Sequence, residues 1–201
     1  MLTKLKQQIQ ALLTREAAYA HRIGLTPNAV SGLGILLALL SAVTYWRAGI
    51  NTLLLLPAGL FLLLSGFCDA LDGVLARLYG QTTVFGGFLD SLLDRYADVA
   101  VLVGIVLGGF ADVSWGFAAV AGTLLVSYVR ARAEAAGVKM ESIGIAERAE
   151  RILILLVASL VALVWRDALW WSVVLLAFLT NITVLQRVIY FYRAVKKKTA
   201  V

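Results

Sequence analysis

Residues 67–99 read FCDALDGVLARLYGQTTVFGGFLDSLLDRYADV. Asp69, Asp72, Asp90, Asp94 and Asp98 lie within this stretch, five of the 12 acidic residues in a chain that is 61% hydrophobic. The link Gly80-Gln81-Thr82-Thr83 divides it, and the sequence on either side stays largely apolar back to residue 52 and on to residue 109. Each arm exceeds the about 20 residues that a helix needs to cross a hydrocarbon core of about 30 Å. The stretch therefore reads as a turn joining two spanning helices, with acids inside both. Counted from that turn, Asp72 is seven residues deep and Asp90 six. At about 1.5 Å per residue both lie roughly 10 Å inside the boundary, with Asp69 and Asp94 roughly 15 Å inside. The expectation is two tiers of carboxylates at matching depths on antiparallel neighbours.

Asp69 and Asp72 are three apart and Asp90 and Asp94 four apart, so each pair shares a helical face, which Asp98 continues. A charge near the bilayer centre costs about 3 kcal/mol even on lenient insertion scales, so four mutually repelling carboxylates need a positive partner. All-oxygen ligands suit Mg²⁺, Mn²⁺ or Ca²⁺, and a chain with one cysteine and one histidine disfavours zinc or copper. Two carboxylate pairs have the capacity for two ions about 4 Å apart, the arrangement that stabilises attacking and leaving oxygens in phosphoryl displacement. Gly73, Gly86 and Gly87 leave bare backbone beside the acids, open either to a ligand or to close helix packing.

Further out, six apolar spans are expected at 27–48, 52–79, 84–109, 113–136, 148–165 and 169–192. No signal peptide is expected ahead of them. Residues 1–24 carry Lys4, Lys6, Arg15 and Arg22 among Leu2, Leu5, Ile9, Leu12, Leu13 and Tyr19, the pattern of an amphipathic helix lying in the interface. The fold class is thus an all-α integral membrane protein, six transmembrane helices with an N-terminal interfacial helix. It forms a single domain over 1–201 with its core over 27–192. Of the 18 lysines and arginines only Arg47 and Arg166 fall at the far ends of their spans, which predicts cytoplasmic termini in a multi-pass protein of the cell membrane. The formal charge of +6 suits an anionic leaflet and anionic ligands, and no nucleic-acid partner is expected. Cys68 reads as a buried small hydrophobe, and the sequon Asn181-Ile182-Thr183 lies inside an apolar span where no glycan can be attached.

The second half adds cations. SYVRARAEAAGV at 127–138, GIAERAERILI at 144–154 and TVLQRVIYFYR at 183–193 put Arg130, Arg148, Arg151 and Arg187 near the same ends of three helices. Convergent guanidinium forks make a phosphate pocket. Arg132, Lys139, Arg193, Lys196, Lys197 and Lys198 read instead as anchors at the membrane surface. Gly104-x-x-x-Gly108, away from the acids, reads as a packing or dimer motif.

Asp69, Asp72, Gly73, Ala76, Arg77, Gly86, Asp90 and Asp94 fill D-x-x-D-G-x-x-A-R-x(8)-G-x-x-x-D-x-x-x-D at every fixed position. This resembles the signature of the CDP-alcohol phosphotransferase family. The resemblance implies a six-span homodimer in which Asp69, Asp72, Asp90 and Asp94 ligate two metal ions, Mg²⁺ or alternatively Mn²⁺ or Ca²⁺. It further implies that Gly73, Ala76 and Arg77 border the cytidine nucleotide and that Asp94 is the base. Leu25-Thr26-Pro27-Asn28 is similar to the family's opening of the first span, which carries Asn28 over as a nucleotide contact, although Pro27 and Asn28 also suit a helix start. Asp69, Asp72 and Gly86 complete the set expected to bind the CDP-lipid. The arginine-bearing segments resemble the branch that uses inositol 1-phosphate, with CDP-diacylglycerol or CDP-archaeol as donor and CMP as product. Glycerol 3-phosphate, which also needs a phosphate pocket, is the rival acceptor. A cation or proton transporter is the alternative of a different class, opposed by Arg77 beside the acids and by the one-sided depth of the cluster.

Overall fold

The computed structural model describes residues 13–140, 143–145 and 147–199. Leu2, Lys4, Leu5, Lys6, Ile9 and Leu12, on which most of the interfacial-helix expectation rests, lie outside the described residues. Helix α1 covers 13–22. Helix α2 (Pro27–Ala48) starts where Thr26 Oγ1 accepts the Ala29 N–H at 3.3 Å and Pro27 fills the first turn, so few backbone donors go unmet. A 3₁₀ turn, Thr52–Leu54, leads into α3 (Leu55–Leu78). Gly80, at φ +64°, then reverses the chain, and Gln81 N–H closes on Ala76 O at 2.9 Å. Thr83 Oγ1 accepts the Gly86 N–H at 2.9 Å and opens α4 (Val84–Leu107). Helices α5 (Val113–Ala135), α6 (Arg148–Val161) and α7 (Asp167–Thr199) follow, and no strand occurs among the described residues.

Four stretches, Pro27–Ala48, Thr52–Leu78, Val113–Ala135 and Asp167–Lys196, are long and apolar enough to cross a bilayer. Helix α4 has the length, at 24 residues, but carries Asp90, Asp94, Arg95 and Asp98. Helix α6 has 14 residues, about 21 Å of helix, and passes after Val161 into turns over 162–164, where the apolar pattern runs on to 165. Helix α7 differs the other way. It starts at Asp167 and continues to Thr199, past the apolar run ending at 192, since a polar helical turn can extend into water.

The helices close into a ring. Around it the packing order is α2, α3, α6, α7, α5, α4 and back to α2. Helices α3 and α4, consecutive in sequence, barely touch, because α2 packs along both. The expectation that they are direct antiparallel neighbours is thus corrected: their acids face each other across the ring's interior. Small residues make the seams. Ala38, Ala58, Ala97 and Ala119 are buried while Leu36, Leu39, Leu60, Leu63, Val103 and Leu107 face outward, the reverse of a soluble core and the pattern of helices packed in lipid. A Cβ on Gly104 would collide with the backbone of Ala42, and one on Gly108 with the carbonyl of Tyr45, so the glycine pair is a contact within the chain between α4 and α2. Tyr45 Oη and Ser159 Oγ, 2.6 Å apart, tie α2 to α6 in the interior.

Helix α1 fastens to the acid-bearing end of α3. Ala17 and Ala20 are buried in a cluster with Cys68, Leu71 and Leu75, and the His21 ring stacks on Tyr79 with centroids 3.7 Å apart. Cys68 is buried, as expected, with its Cβ 3.2 Å from where a Cβ on Gly34 would sit. Asn181 Nδ2 donates to Ala118 O at 3.2 Å and Ala177 O at 2.8 Å, joining α7 to α5.

Candidate active site

The carboxylates enter the ring's interior from two sides. Asp69 on α3 and Asp90 and Asp94 on α4 each offer an oxygen within 4.8 Å of the others. Asp72, one turn nearer the Gly80 link, is 5% exposed and accepts a short hydrogen bond from Ser31 Oγ of α2. Ser31 has one hydroxyl proton and shares it with Pro27 O, 3.1 Å away. No pattern along α2 singled out this serine.

The positive partner required by so many acids is present, and it is Arg148. Its Nη1 lies 2.6 Å from Asp69 Oδ1 and closer still to Asp94 Oδ1, while Nε lies 3.5 Å from Asp98 Oδ1. Both nitrogens are buried, and neither has a partner at hydrogen-bonding angles, so charge alone holds them. A gap of about 10 Å³, one water in size, is lined by Asp69, Asp72, Asp90, Asp94 and Arg148. Four carboxylates against one guanidinium leave that gap strongly negative. An all-oxygen donor set with no histidine or cysteine sulfur among its donors fits hard divalent cations.

Two larger cavities lie on either side of this row. One, of about 230 Å³, is lined by Asn28, Ser31, Asp72, Gly73, Ala76, Arg77, Gly86 and Asp90, with Gln81 and Thr82 from the link. It therefore gathers every expected CDP-lipid contact except Asp69. A Cβ on Gly86 would come within 2.9 Å of Thr83 Oγ1 and 3.3 Å of Asn28 Oδ1, and one on Gly73 within 3.1 Å of Arg77 Nη1, so a side chain at either glycine would crowd the wall. The other cavity, of about 280 Å³, is lined by Asp69, Asp94, Asp98, Arg130, Arg148, Arg151 and Arg187, among others. All four arginines read as phosphate ligands meet there, although their present partners differ. Arg130 pairs with Glu134 at 2.9 Å and Arg151 Nη2 with Asp98 Oδ2 at 2.6 Å. Arg187, 3% exposed, donates through Nε to Ile143 O at 2.8 Å and through Nη1 to Val126 O at 2.6 Å. These carbonyl contacts fix Arg187 in the wall and pin the approach to α6.

Comparison with known proteins identifies the family. The model of the CDP-alcohol phosphatidyltransferase family matches residues 24–180. The archaetidylinositol phosphate synthase of Pyrococcus horikoshii is 41% identical over 197 residues, 98% of each chain. The crystal structure of Mycobacterium tuberculosis phosphatidylinositol phosphate synthase with CDP-DAG bound is 31% identical, with a TM-score of 0.78 over 90% of this chain and 94% of that one. The same enzyme in complex with manganese and citrate gives 31% identity and a TM-score of 0.78 over 90% and 88%. With a fixed-spacing aspartate signature folded into one negative gap and a family match spanning most of the ring, the chain belongs to the CDP-alcohol phosphatidyltransferase family.

Proposed function

We propose that the chain transfers a phosphatidyl-type group, a diacylglycerol phosphate or an archaeol phosphate, from a CDP-lipid to inositol 1-phosphate and releases CMP. The observation that carries this reading is the row of four aspartates between two cavities that share no lining residue, one lined by the signature residues and the other by four arginines, with an open groove of about 750 Å³ along Asp90, Asp94 and Arg130 bordering both. The inositol phosphate acceptor is supported by the names of the similar enzymes and by the arginine wall, whose forks suit phosphate oxygens. Helices α4 and α6 count as two further crossings, because each stands in the ring between helices that span. Asp90, Asp94, Asp98, Arg148 and Arg151 line the interior cavities, while Glu150 is exposed on the first turn of α6; the reading is six spans in the cell membrane. Both termini are cytoplasmic, following the basic residues at the site end of the helices. The chain works as a homodimer, as the resemblance to the family implies.

Asn28, Gly73, Ala76, Arg77 and Gly86 border the cytidine nucleotide. Asp69, Asp72, Asp90 and Asp94 hold two divalent cations, Mg²⁺ or, in its place, Mn²⁺ or Ca²⁺. When bound, these neutralise the pyrophosphate and make its lipid-side phosphorus easier to attack. Arg130, Arg148, Arg151 and Arg187 hold the acceptor's phosphate and so aim its hydroxyl at the aspartate row. Asp94 lines both the central gap and the arginine cavity, which suits it to take the hydroxyl proton as the new P–O bond forms and the bond to CMP breaks.

Detergent-solubilised protein with Mg²⁺ and CDP-diacylglycerol or CDP-archaeol is expected to release CMP when inositol 1-phosphate is added, and not with free inositol or serine. CMP release with glycerol 3-phosphate alone would transfer the reading to that acceptor. Ion flux in vesicles without CMP release would replace it with transport.

A further inference from the structure

We infer that Asp98 is the positioning residue of the acceptor site, the carboxylate that keeps Arg148 and Arg151 aimed into the arginine cavity. The inference rests on the acceptor reading above. Asp98 stands one turn beyond Asp94 on α4, yet it belongs neither to the set of carboxylates within 4.8 Å of one another nor to the lining of the central gap. It lines the arginine cavity instead. Its two oxygens are divided between two arginines one turn apart on α6: Oδ2 receives Arg151 Nη2 at 2.6 Å, and Oδ1 faces Arg148 Nε at 3.5 Å.

These groups are largely removed from water, with side-chain exposures of 15% for Asp98 and 9% for Arg151. A buried ion pair adds little stability over an apolar pair of similar size, because desolvation offsets the attraction. What such a pair does well is fix geometry, since a guanidinium held on one edge presents its other edge in a set direction. The position of Arg148 makes this matter. Three carboxylates, Asp69, Asp94 and Asp98, compete for its guanidinium. Two of them are assigned to cations in the proposed reaction. Asp98 is the one partner of the three that remains with Arg148 when the others turn to metal, so it retains that charge at the cavity wall. The signature spacing ends at Asp94 and says nothing of this residue.

The test compares wild type with Asp98→Asn and Asp98→Glu in detergent, using three readouts. For Asp98→Asn, KM for inositol 1-phosphate is expected to rise about tenfold or more. KM for the CDP-lipid should stay within about twofold, and Mn²⁺ affinity, read by electron paramagnetic resonance, should stay unchanged. Asp98→Glu keeps the charge and should raise the acceptor KM less. Calorimetric titration with inorganic phosphate alone reads the same arginines without turnover, and it is expected to show binding weakened about fivefold or more in Asp98→Asn. An unchanged acceptor KM together with unchanged phosphate binding would overturn the inference. So would a loss of Mn²⁺ affinity as large as that of Asp94→Asn, which would make Asp98 a metal ligand. If the asparagine variant fails to fold, Asp98→Ser decides by the same two readouts: acceptor KM and phosphate affinity both at wild-type values overturn the inference. If wild type does not turn over inositol 1-phosphate, the acceptor reading fails by itself, and the phosphate titration still decides the role of Asp98.

Discussion

At the residue scale the site depends on hydrogen bonds and ion pairs between helices. Ser31 gives Asp72 a hydroxyl inside the ring and so sets the direction of a carboxylate expected to meet metal. A hydrogen bond to a charged group is worth about 1.5–3 kcal/mol, and each 1.4 kcal/mol is about tenfold in affinity. Ser31→Ala is expected to weaken Mn²⁺ binding about tenfold, with Ser31→Thr restoring most of it; electron paramagnetic resonance titration checks both. The aspartates were legible in the sequence because intervals of three and four put them on one face, and a dense cluster of charge in apolar sequence demands an explanation. Ser31 was not legible, since its partner lies 41 residues away on another helix and no periodicity encodes the pairing. Arg148 was half legible. Its place near a helix end suggested a phosphate ligand, but that it reaches Asp69 and Asp94 follows only from how α6 stands against α3 in the ring.

At the scale of elements, α2 separates α3 from α4 and makes room for the aspartate row. The contact that allows α4 to lie against α2 is backbone on backbone, at Gly104 beside Ala42 and Gly108 beside Tyr45. Gly104→Val forces side-chain atoms into that seam, and overpacking of this kind costs about 1–3 kcal/mol. The melting temperature in detergent is expected to fall by roughly 5 °C, at about 2–4 °C per kcal/mol for a chain of this size. CMP release per folded molecule should persist, since the seam lies at the end of α4 away from the acids. Helix extents were readable where apolar sequence and helix coincide: α2 matches its expected range residue for residue. They differed at the C-terminal end of α6 and at both ends of α7, because hydropathy reports which residues can sit in lipid and not where the backbone stops winding as a helix.

For the whole molecule, composition announced a membrane protein, and the outward Leu36, Leu60 and Leu107 over seams of alanine bear that out. The circular order of the helices was not readable. Every apolar helix can pack on every other, and the choice of α6 rather than α4 as a neighbour of α3 depends on small residues and buried polar links spread over the chain. That order gives the aspartate row a cavity on each flank, one lined by Arg77 and the other by Arg151. On the proposed assignment donor and acceptor have separate berths and need not take turns, so initial-rate plots at varied concentrations of both should intersect; parallel lines would contradict that assignment. On the same proposed assignment the hydroxyl enters from the flank away from the departing nucleotide, which means one displacement and no phosphatidylated enzyme. A CDP-lipid made chiral at the transferred phosphorus should therefore yield product of inverted handedness.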